Sequence, residues 1–156
     1  MLIVGSNGML GQTVLNLFDK NKYEIVLSSF EDYSYSNDFD YFKVNIGEKQ
    51  EVKKLLLDFY PDCVINLAAY TNVDKCETER NECWKVNVDA IEYFAKYCVP
   101  TNSHLIHISS DYVFDGKNGP YNEKELPNPI SYYGRSKLAG ENILKKFDIK
   151  VGVFKS

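Results

Sequence analysis

Leu2-Ile3-Val4-Gly5-Ser6-Asn7-Gly8-Met9-Leu10-Gly11 decides how this chain is read. A short apolar run meets three glycines spaced G-x-x-G-x-x-G. Behind them Leu10, Val14, Leu15, Leu17 and Phe18 recur with a helical period until Asp19-Lys20-Asn21-Lys22 stops the pattern. Strand, glycine turn and helix, in that order, form the setting that a dinucleotide-binding turn requires. One glycine permits the tight turn and a second lets backbone N–H groups approach a pyrophosphate. The third lets the helix pack on the strand, with the helix N-terminus facing the anion. The spacing departs from the common G-x-G-x-x-G, and taken alone it also suits a tight turn that binds nothing.

Downstream, apolar runs alternate with helical patterns. Tyr23 to Leu27 reads as a second strand, followed by Ser28-Ser29 where a ribose-binding carboxylate often stands. Small hydroxyls there tolerate a 2′-phosphate, which favours NADPH. NADH stays open, because no Arg or Lys follows closely and Glu31 and Asp32 are near. Residues 30–39 read as a surface loop, Tyr41 to Val44 as a third strand, and Glu48 to Phe59 as an amphipathic helix. Asn45-Ile46, at the end of the third strand, is a turn of the kind that meets an adenine.

Cys63 to Ala69 is continuously apolar, apart from Asn66, as in a central parallel strand. Its small Ala68-Ala69 exit suits either a passing cofactor or simple core packing. Thr78 to Tyr97 reads as one long helix containing Asn87, whose amide either reaches back to a loop or is solvated; Pro100-Thr101-Asn102 breaks the chain. His104 to Ile108 is a fifth strand, in which His104 and His107 have opposite parity and cannot jointly bind a metal. A turn-rich segment over residues 115–131 precedes a helix from Tyr133 to about Phe147, and Ile149 to Phe154 is a last strand. Strands alternating with helices predict an α/β fold, a Rossmann-type doubly wound parallel sheet in three α/β/α layers.

With 156 residues the chain suits one domain, spanning 1–156. A formal charge of -4 argues against a nucleic-acid partner and against acidic membranes, and no run of apolar residues is long enough to span a bilayer. Cys63, Cys76, Cys83 and Cys98 form no C-x-x-C pair, and Met1-Leu2-Ile3-Val4 lacks a secretory n-region. Both point to reduced thiols in a cytoplasmic protein.

The chemistry gathers in two stretches. Ser109-Ser110-Asp111-Tyr112-Val113-Phe114-Asp115-Gly116 follows the fifth strand, and Tyr132-Tyr133-Gly134-Arg135-Ser136-Lys137 opens a helix. Tyr133 and Lys137, four residues apart, share one helical face. An ammonium beside a phenol stabilises its ionised form, so the Tyr133 pKa is expected to fall from about 10. With the Ser110 hydroxyl to steady a carbonyl oxygen, these are the groups that ketone reduction needs once a hydride source is bound.

The glycine turn, Asn66-Leu67-Ala68-Ala69-Tyr70-Thr71-Asn72-Val73-Asp74-Lys75-Cys76-Glu77, the stretch from Ser109 to Gly116, and Tyr133 to Glu141 carry a resemblance to the extended short-chain dehydrogenase/reductases. Within them the chain resembles the dTDP-4-dehydrorhamnose reductases, over all of its length. The resemblance implies NAD(P)H-dependent reduction of dTDP-4-dehydro-L-rhamnose to dTDP-L-rhamnose, a nucleotide sugar for cell-surface polysaccharide. It implies that Tyr133 protonates the developing alkoxide, that Lys137 tunes Tyr133 and holds the nicotinamide ribose, and that Ser110 binds the carbonyl oxygen. Asp111 and Tyr112 would shape the sugar end. Gly5, Asn7, Gly8, Met9, Leu10, Gly11, Ser28, Asn45, Ile46, Ala68, Ala69, Tyr70, Asn87, Tyr133 and Lys137 would line the cofactor.

Members of this family are nearly twice as long, and their C-terminal part, absent from this sequence, supplies much of the sugar-nucleotide pocket. Self-association into a homodimer through the face that part would cover is a hypothesis. Some members place a Glu of an intersubunit metal site where this chain has Thr13, so no metal is expected. The same Tyr and Lys serve nucleotide-sugar epimerases and dehydratases. One branch resembling these reductases is a non-catalytic, NADP-binding regulatory subunit of methionine adenosyltransferase. Both remain alternatives.

Overall fold

The computed structural model describes residues 1–155. Six parallel strands lie in the order β3-β2-β1-β4-β5-β6. They are β1 (Leu2–Val4), β2 (Val26–Ser29), β3 (Asp40–Lys43), β4 (Cys63–Asn66), β5 (His104–Ser109) and β6 (Val151–Lys155). The chain starts in the middle and winds one way to β3, then crosses over and winds the other way to β6. The order therefore reverses between β1 and β4, and a crevice opens there at the carboxyl ends of the strands.

Helices α1 (Met9–Leu15), α2 (Lys49–Phe59), α3 (Val73–Thr78), α4 (Arg80–Trp84), α5 (Ala90–Thr101) and α6 (Tyr132–Leu144) connect the strands. The main core forms where α2, α5 and α6 cover one face: Leu2, Val4, Val64 and Leu105 from the sheet meet Val52, Leu56, Ile91, Phe94 and Leu144. A smaller core of Ile3, Leu27, Leu15 and Ile25 lies on the α1 face. Adjacent strand residues thus point into different layers, as the pleat requires. The four cysteines are free, and no helix among the described residues is long and apolar enough to cross a membrane.

Several boundaries differ from the sequence reading, each for a tertiary reason. β2 begins at Val26 because β1 is only 3 residues long, and Leu2 pairs with Val26. β4 stops at Asn66, opposite the end of β1 at Val4, so Leu67, Ala68 and Ala69 leave the sheet at the crevice. α1 ends early because Leu17 and Phe18 bond three residues back, to Val14 and Leu15, which tightens the last turn.

The long helix expected from Thr78 starts instead at Val73, capped by the Asn72 side chain on Lys75 N at 2.9 Å. It breaks at Glu79 and resumes through a π-helical turn, Lys85–Asp89. Pro100 lies inside the final turn of α5, and the helix ends at Asn102 in the left-handed region.

Candidate active site

The glycine turn is built on β2. Gly5 N and Ser6 N donate to Ser28 O at 2.8 and 3.1 Å, and the Ser6 hydroxyl reaches the same carbonyl at 3.2 Å. Gly5 has φ +79°, and a Cβ there would stand 2.7 Å from Ala68 N, so the turn touches the exit of β4. Gly8, with φ -69° and ψ 162°, has an ordinary backbone. A Cβ on it would stand 3.3 Å from Gly5 O, a tight contact with backbone, and would meet no other atom within 4 Å. Met9 and Leu10 stand exposed beside it.

Other residues expected around the cofactor divide into those at the crevice and those beneath it. Ala68, Ala69 and Tyr70 are partly exposed at the end of β4. Ser28 is fully buried under the turn, and its hydroxyl has no partner among the described residues. The pleat turns Ser28 inward, and its carbonyl supports the turn. Ile46 is packed in the main core, and the Asn45 side chain closes a local turn onto Gly47 N at 3.0 Å. The Asn7 amide is committed to the loop after β2, bonding Tyr33 O at 2.6 Å and Tyr35 N at 2.9 Å.

Asn87 does reach back to a loop. Its side chain clasps both backbone groups of Tyr70, accepting from N at 2.9 Å and donating to O at 3.0 Å. It also donates to the Ser136 hydroxyl at 3.0 Å, and Ser136 donates to Tyr133 O at 2.7 Å. The π turn thus ties the β4 exit to the helix that carries Tyr133 and Lys137. Ser136 was not singled out from the sequence. Its serine at Tyr133 + 3, on a helical face otherwise small or apolar, was the available signal.

Ser110, Tyr133 and Lys137 come together at the end of β5. Ser131 caps α6 by accepting from Gly134 N at 3.0 Å, and Ser110 caps a 3-10 turn over Asp111–Val113 by accepting from Tyr112 N at 3.3 Å. Gly134 lets the two meet: a Cβ there would stand 2.2 Å from Tyr112 O. The Tyr112 and Tyr133 rings pack edge to face, with centroids 5.6 Å apart. Asp111 and Tyr112 are exposed beside them. Lys137 is 2% exposed and donates to Ile108 O at 2.7 Å.

The electrostatics differ from the expected fall in the Tyr133 pKa. Burial pushes the phenol above its usual range, and the Ser110 hydroxyl beside it pulls it back. Lys137 does not lower it in this arrangement, because its ammonium is drawn to the Ile108 carbonyl. Burial brings Lys137 itself down to about 8, opposed by Glu141. His107, pointing inward from β5 as its parity predicts, is held neutral by burial and by Lys137, down to about 3, and its Nδ1 lies 3.4 Å from the Asn66 amide. His104, of opposite parity, is exposed.

A buried lysine with a depressed pKa makes stability depend on pH. Its contribution is complete above the unfolded value near 10.4 and is lost as pH falls through about 8. Urea unfolding of the wild type is therefore expected to gain about 2 kcal/mol between pH ~7.5 and ~10, relative to the same change in Lys137→Met. Parallel pH profiles for the two proteins would contradict this.

The chain matches the family described as RmlD substrate binding domain over residues 1–155. It is 36% identical to dTDP-4-dehydrorhamnose reductase of Aggregatibacter actinomycetemcomitans over 146 residues, 92% of this chain and 46% of that protein. It is 34% identical to methionine adenosyltransferase 2 subunit beta of Bos taurus over 155 residues, 99% of this chain and 45% of that one. The crystal structure of dTDP-4-dehydrorhamnose reductase from Bacillus anthracis in complex with NADP superposes with a TM-score of 0.85 at 30% identity, covering 99% of this chain and 51% of that one. The chain spans about half the length of the curated relatives it matches. With the sheet order, the crevice and the Ser110, Tyr133 and Lys137 cluster already described, the match over nearly the whole sequence places this chain in the RmlD family, whose similar members include the dTDP-4-dehydrorhamnose reductases.

Proposed function

We propose that residues 1–156 are the nicotinamide-cofactor-binding part of a nucleotide-sugar reductase, with dTDP-4-dehydro-L-rhamnose as substrate and Tyr133 as proton donor. The observation that carries this is the convergence of Ser110, Tyr133 and Lys137 at the end of β5, on the crevice that the glycine turn opens. The cradle fits a dinucleotide: Gly8 puts no side chain on its side of the turn, where even a Cβ would crowd Gly5 O at 3.3 Å, and the small Ala68 and Ala69 stand at the exit of β4.

NAD(P)H, when bound, supplies the hydride. The protein's own residues manage the proton. Tyr133, held above its ordinary pKa, keeps its proton at neutral pH and can give it to the alkoxide oxygen that develops as the ketone is reduced. The Ser110 hydroxyl, positioned by the 3-10 turn, donates to the same oxygen. Lys137 is an ammonium below pH ~8; it donates to Ile108 O in the free chain, and would stabilise the phenolate left behind by turning from that carbonyl towards it. His107, being neutral, adds no competing positive charge beneath it.

Titration of the chain with NADPH and NADH by fluorescence, followed by addition of dTDP-4-dehydro-L-rhamnose while absorbance at the reduced-nicotinamide band is recorded, tests this. Binding followed by oxidation supports the reductase. Binding without oxidation leaves either the cofactor-binding part of a reductase without its sugar-nucleotide pocket or the second reading, a non-catalytic regulatory module, which the 34% identity to methionine adenosyltransferase 2 subunit beta supports. Retained NAD⁺ with a 4-epimer product would instead favour an epimerase. Gly8→Val is expected to abolish cofactor binding while lowering the thermal midpoint by several degrees, since the added Cβ crowds the Gly5 carbonyl at 3.3 Å and its methyls fill the pyrophosphate approach. Unchanged affinity would make the turn purely structural.

A further inference from the structure

Resting on the reductase reading, we propose that Glu141 is a positioning residue for Lys137. Its buried carboxylate keeps the Lys137 side chain an ammonium and, through the Ser109 hydroxyl, fixes the strand end that presents Ser110. The upper pH limit of the site is then set by a group that touches neither cofactor nor substrate.

Tyr133, Lys137 and Glu141 follow one another at intervals of four on α6, and residues so spaced lie along one helical face. All three are buried, Lys137 at 2% exposure and Glu141 at 7%. A carboxylate is rarely taken out of water without partners. Here both of its oxygens are held by other elements. Oε1 accepts from the Ser109 hydroxyl, on β5, at 2.5 Å, and Oε2 lies 3.4 Å from Lys155 Nζ, on β6. Ser109 is the last residue of β5, and Ser110 follows it into the 3-10 turn. Lys155 also stands 5.0 Å from the centre of the Phe114 ring, just past that turn. One carboxylate therefore ties α6 to β5 and β6 directly beneath the site.

Charges that water does not reach are poorly screened, so a carboxylate one helical turn away acts strongly on a buried ammonium. Burial drives the Lys137 proton off, and Glu141 opposes it. The other groups around Lys137 do not replace Glu141. His107, on β5, is neutral. Cys83, from α4, faces Lys137 with a thiol. Tyr133, on the same helix, keeps its proton, and Asp111, from the 3-10 turn, bears on Tyr133. Lys155 has the same sign as Lys137 and is closed on Glu141. Without Glu141, burial would take Lys137 below about 8 and into the neutral range, and the phenolate formed at Tyr133 would have no cation to turn to it.

The test is an NMR titration of the chain with isotope-labelled lysine side chains, in the wild type and in Glu141→Gln, the Lys137 signal being identified by its loss in Lys137→Met. Gln keeps an oxygen for Ser109 and removes the charge, and the Lys155 side chain, 31% exposed, can turn to solvent. The wild-type signal is expected to titrate at about 8, and the Glu141→Gln signal about one pH unit lower. NADPH titrations from pH ~6 to pH ~9 then separate positioning from plain structural support. The two proteins should bind alike at pH ~6 and differ about fivefold at pH ~8, the variant more weakly, because fewer of its molecules still carry the ammonium. An unshifted Lys137 titration, or an affinity loss of the same size at every pH, overturns the role of Glu141 and leaves the cofactor reading intact. Absence of NADPH and NADH binding at every pH overturns the cofactor reading, and the positioning role with it. If Glu141→Gln does not fold, the Glu141 carboxyl carbon decides: its signal should move as Lys137 titrates in the wild type and stay still over that range in Lys137→Met. A carboxyl signal that does not respond to Lys137 overturns the proposal.

Discussion

In a reductase-active form of the protein, Tyr133→Phe is expected to slow reduction of dTDP-4-dehydro-L-rhamnose by two to four orders of magnitude, roughly the contribution of a positioned general acid. The cofactor dissociation constant should stay within a few-fold. The expectation rests on where the hydroxyl sits. The ring is anchored by Tyr112 at 5.6 Å between centroids, and by Ser136 on the Tyr133 carbonyl at 2.7 Å. Phe keeps both anchors and removes only the proton. Stopped-flow oxidation of bound NADH or NADPH on mixing with the ketone separates the two effects. Retained turnover would remove Tyr133 from the chemistry and make Ser110 or solvent the proton source.

Gly11→Ala should be the most damaging single methyl in the glycine turn. Its Cβ would stand 2.4 Å from Gly5 O, 2.6 Å from Ser6 O and 2.7 Å from Ser6 Cα. All three are backbone atoms, and none can rotate away. To admit the methyl, α1 must move off the turn, which opens the contact of Ser6 with Ser28. A loss of about 3 kcal/mol in stability is expected, at the upper end of ordinary overpacking, together with a cofactor affinity lowered by about a hundredfold or more. Chemical denaturation and nucleotide titration on the same sample measure both. A stability loss with normal affinity would mean that the turn recovers its shape and that α1 is dispensable to the ligand.

Much of this molecule was written in local sequence. The runs at Leu2–Val4 and Cys63–Asn66 are strands buried on both faces of a parallel sheet, which leaves a nearly continuous apolar signature, whereas His104–Ser109 alternates buried residues with less buried ones at the strand period. The i, i+4 spacing of Tyr133 and Lys137 and the parity of His104 and His107 are fixed by helix and strand periods, and the structure keeps both. What local sequence does not carry is where the chain is stopped or bent by something distant. β2 and β4 take their limits from the 3 residues of β1. The π turn in the 73–101 helical segment exists where Asn87 grips Tyr70, 17 residues away.

The site divides along the same line. Residue types and spacing named Ser110, Tyr133 and Lys137. Only tertiary structure decided that Lys137 turns to the Ile108 carbonyl and that burial raises the phenol instead of the ammonium lowering it. Tertiary structure likewise buries the Ser28 side chain beneath the turn, packs the Ile46 side chain in the main core and brings Glu31, ordinary in a polar loop, to the glycine turn through Asn7. Secondary structure follows from short-range sterics and periodicity, which the sequence states outright. Burial, and with it every pKa and every free acceptor, depends on which distant segments close over a side chain, and that is settled only when the sheet has assembled.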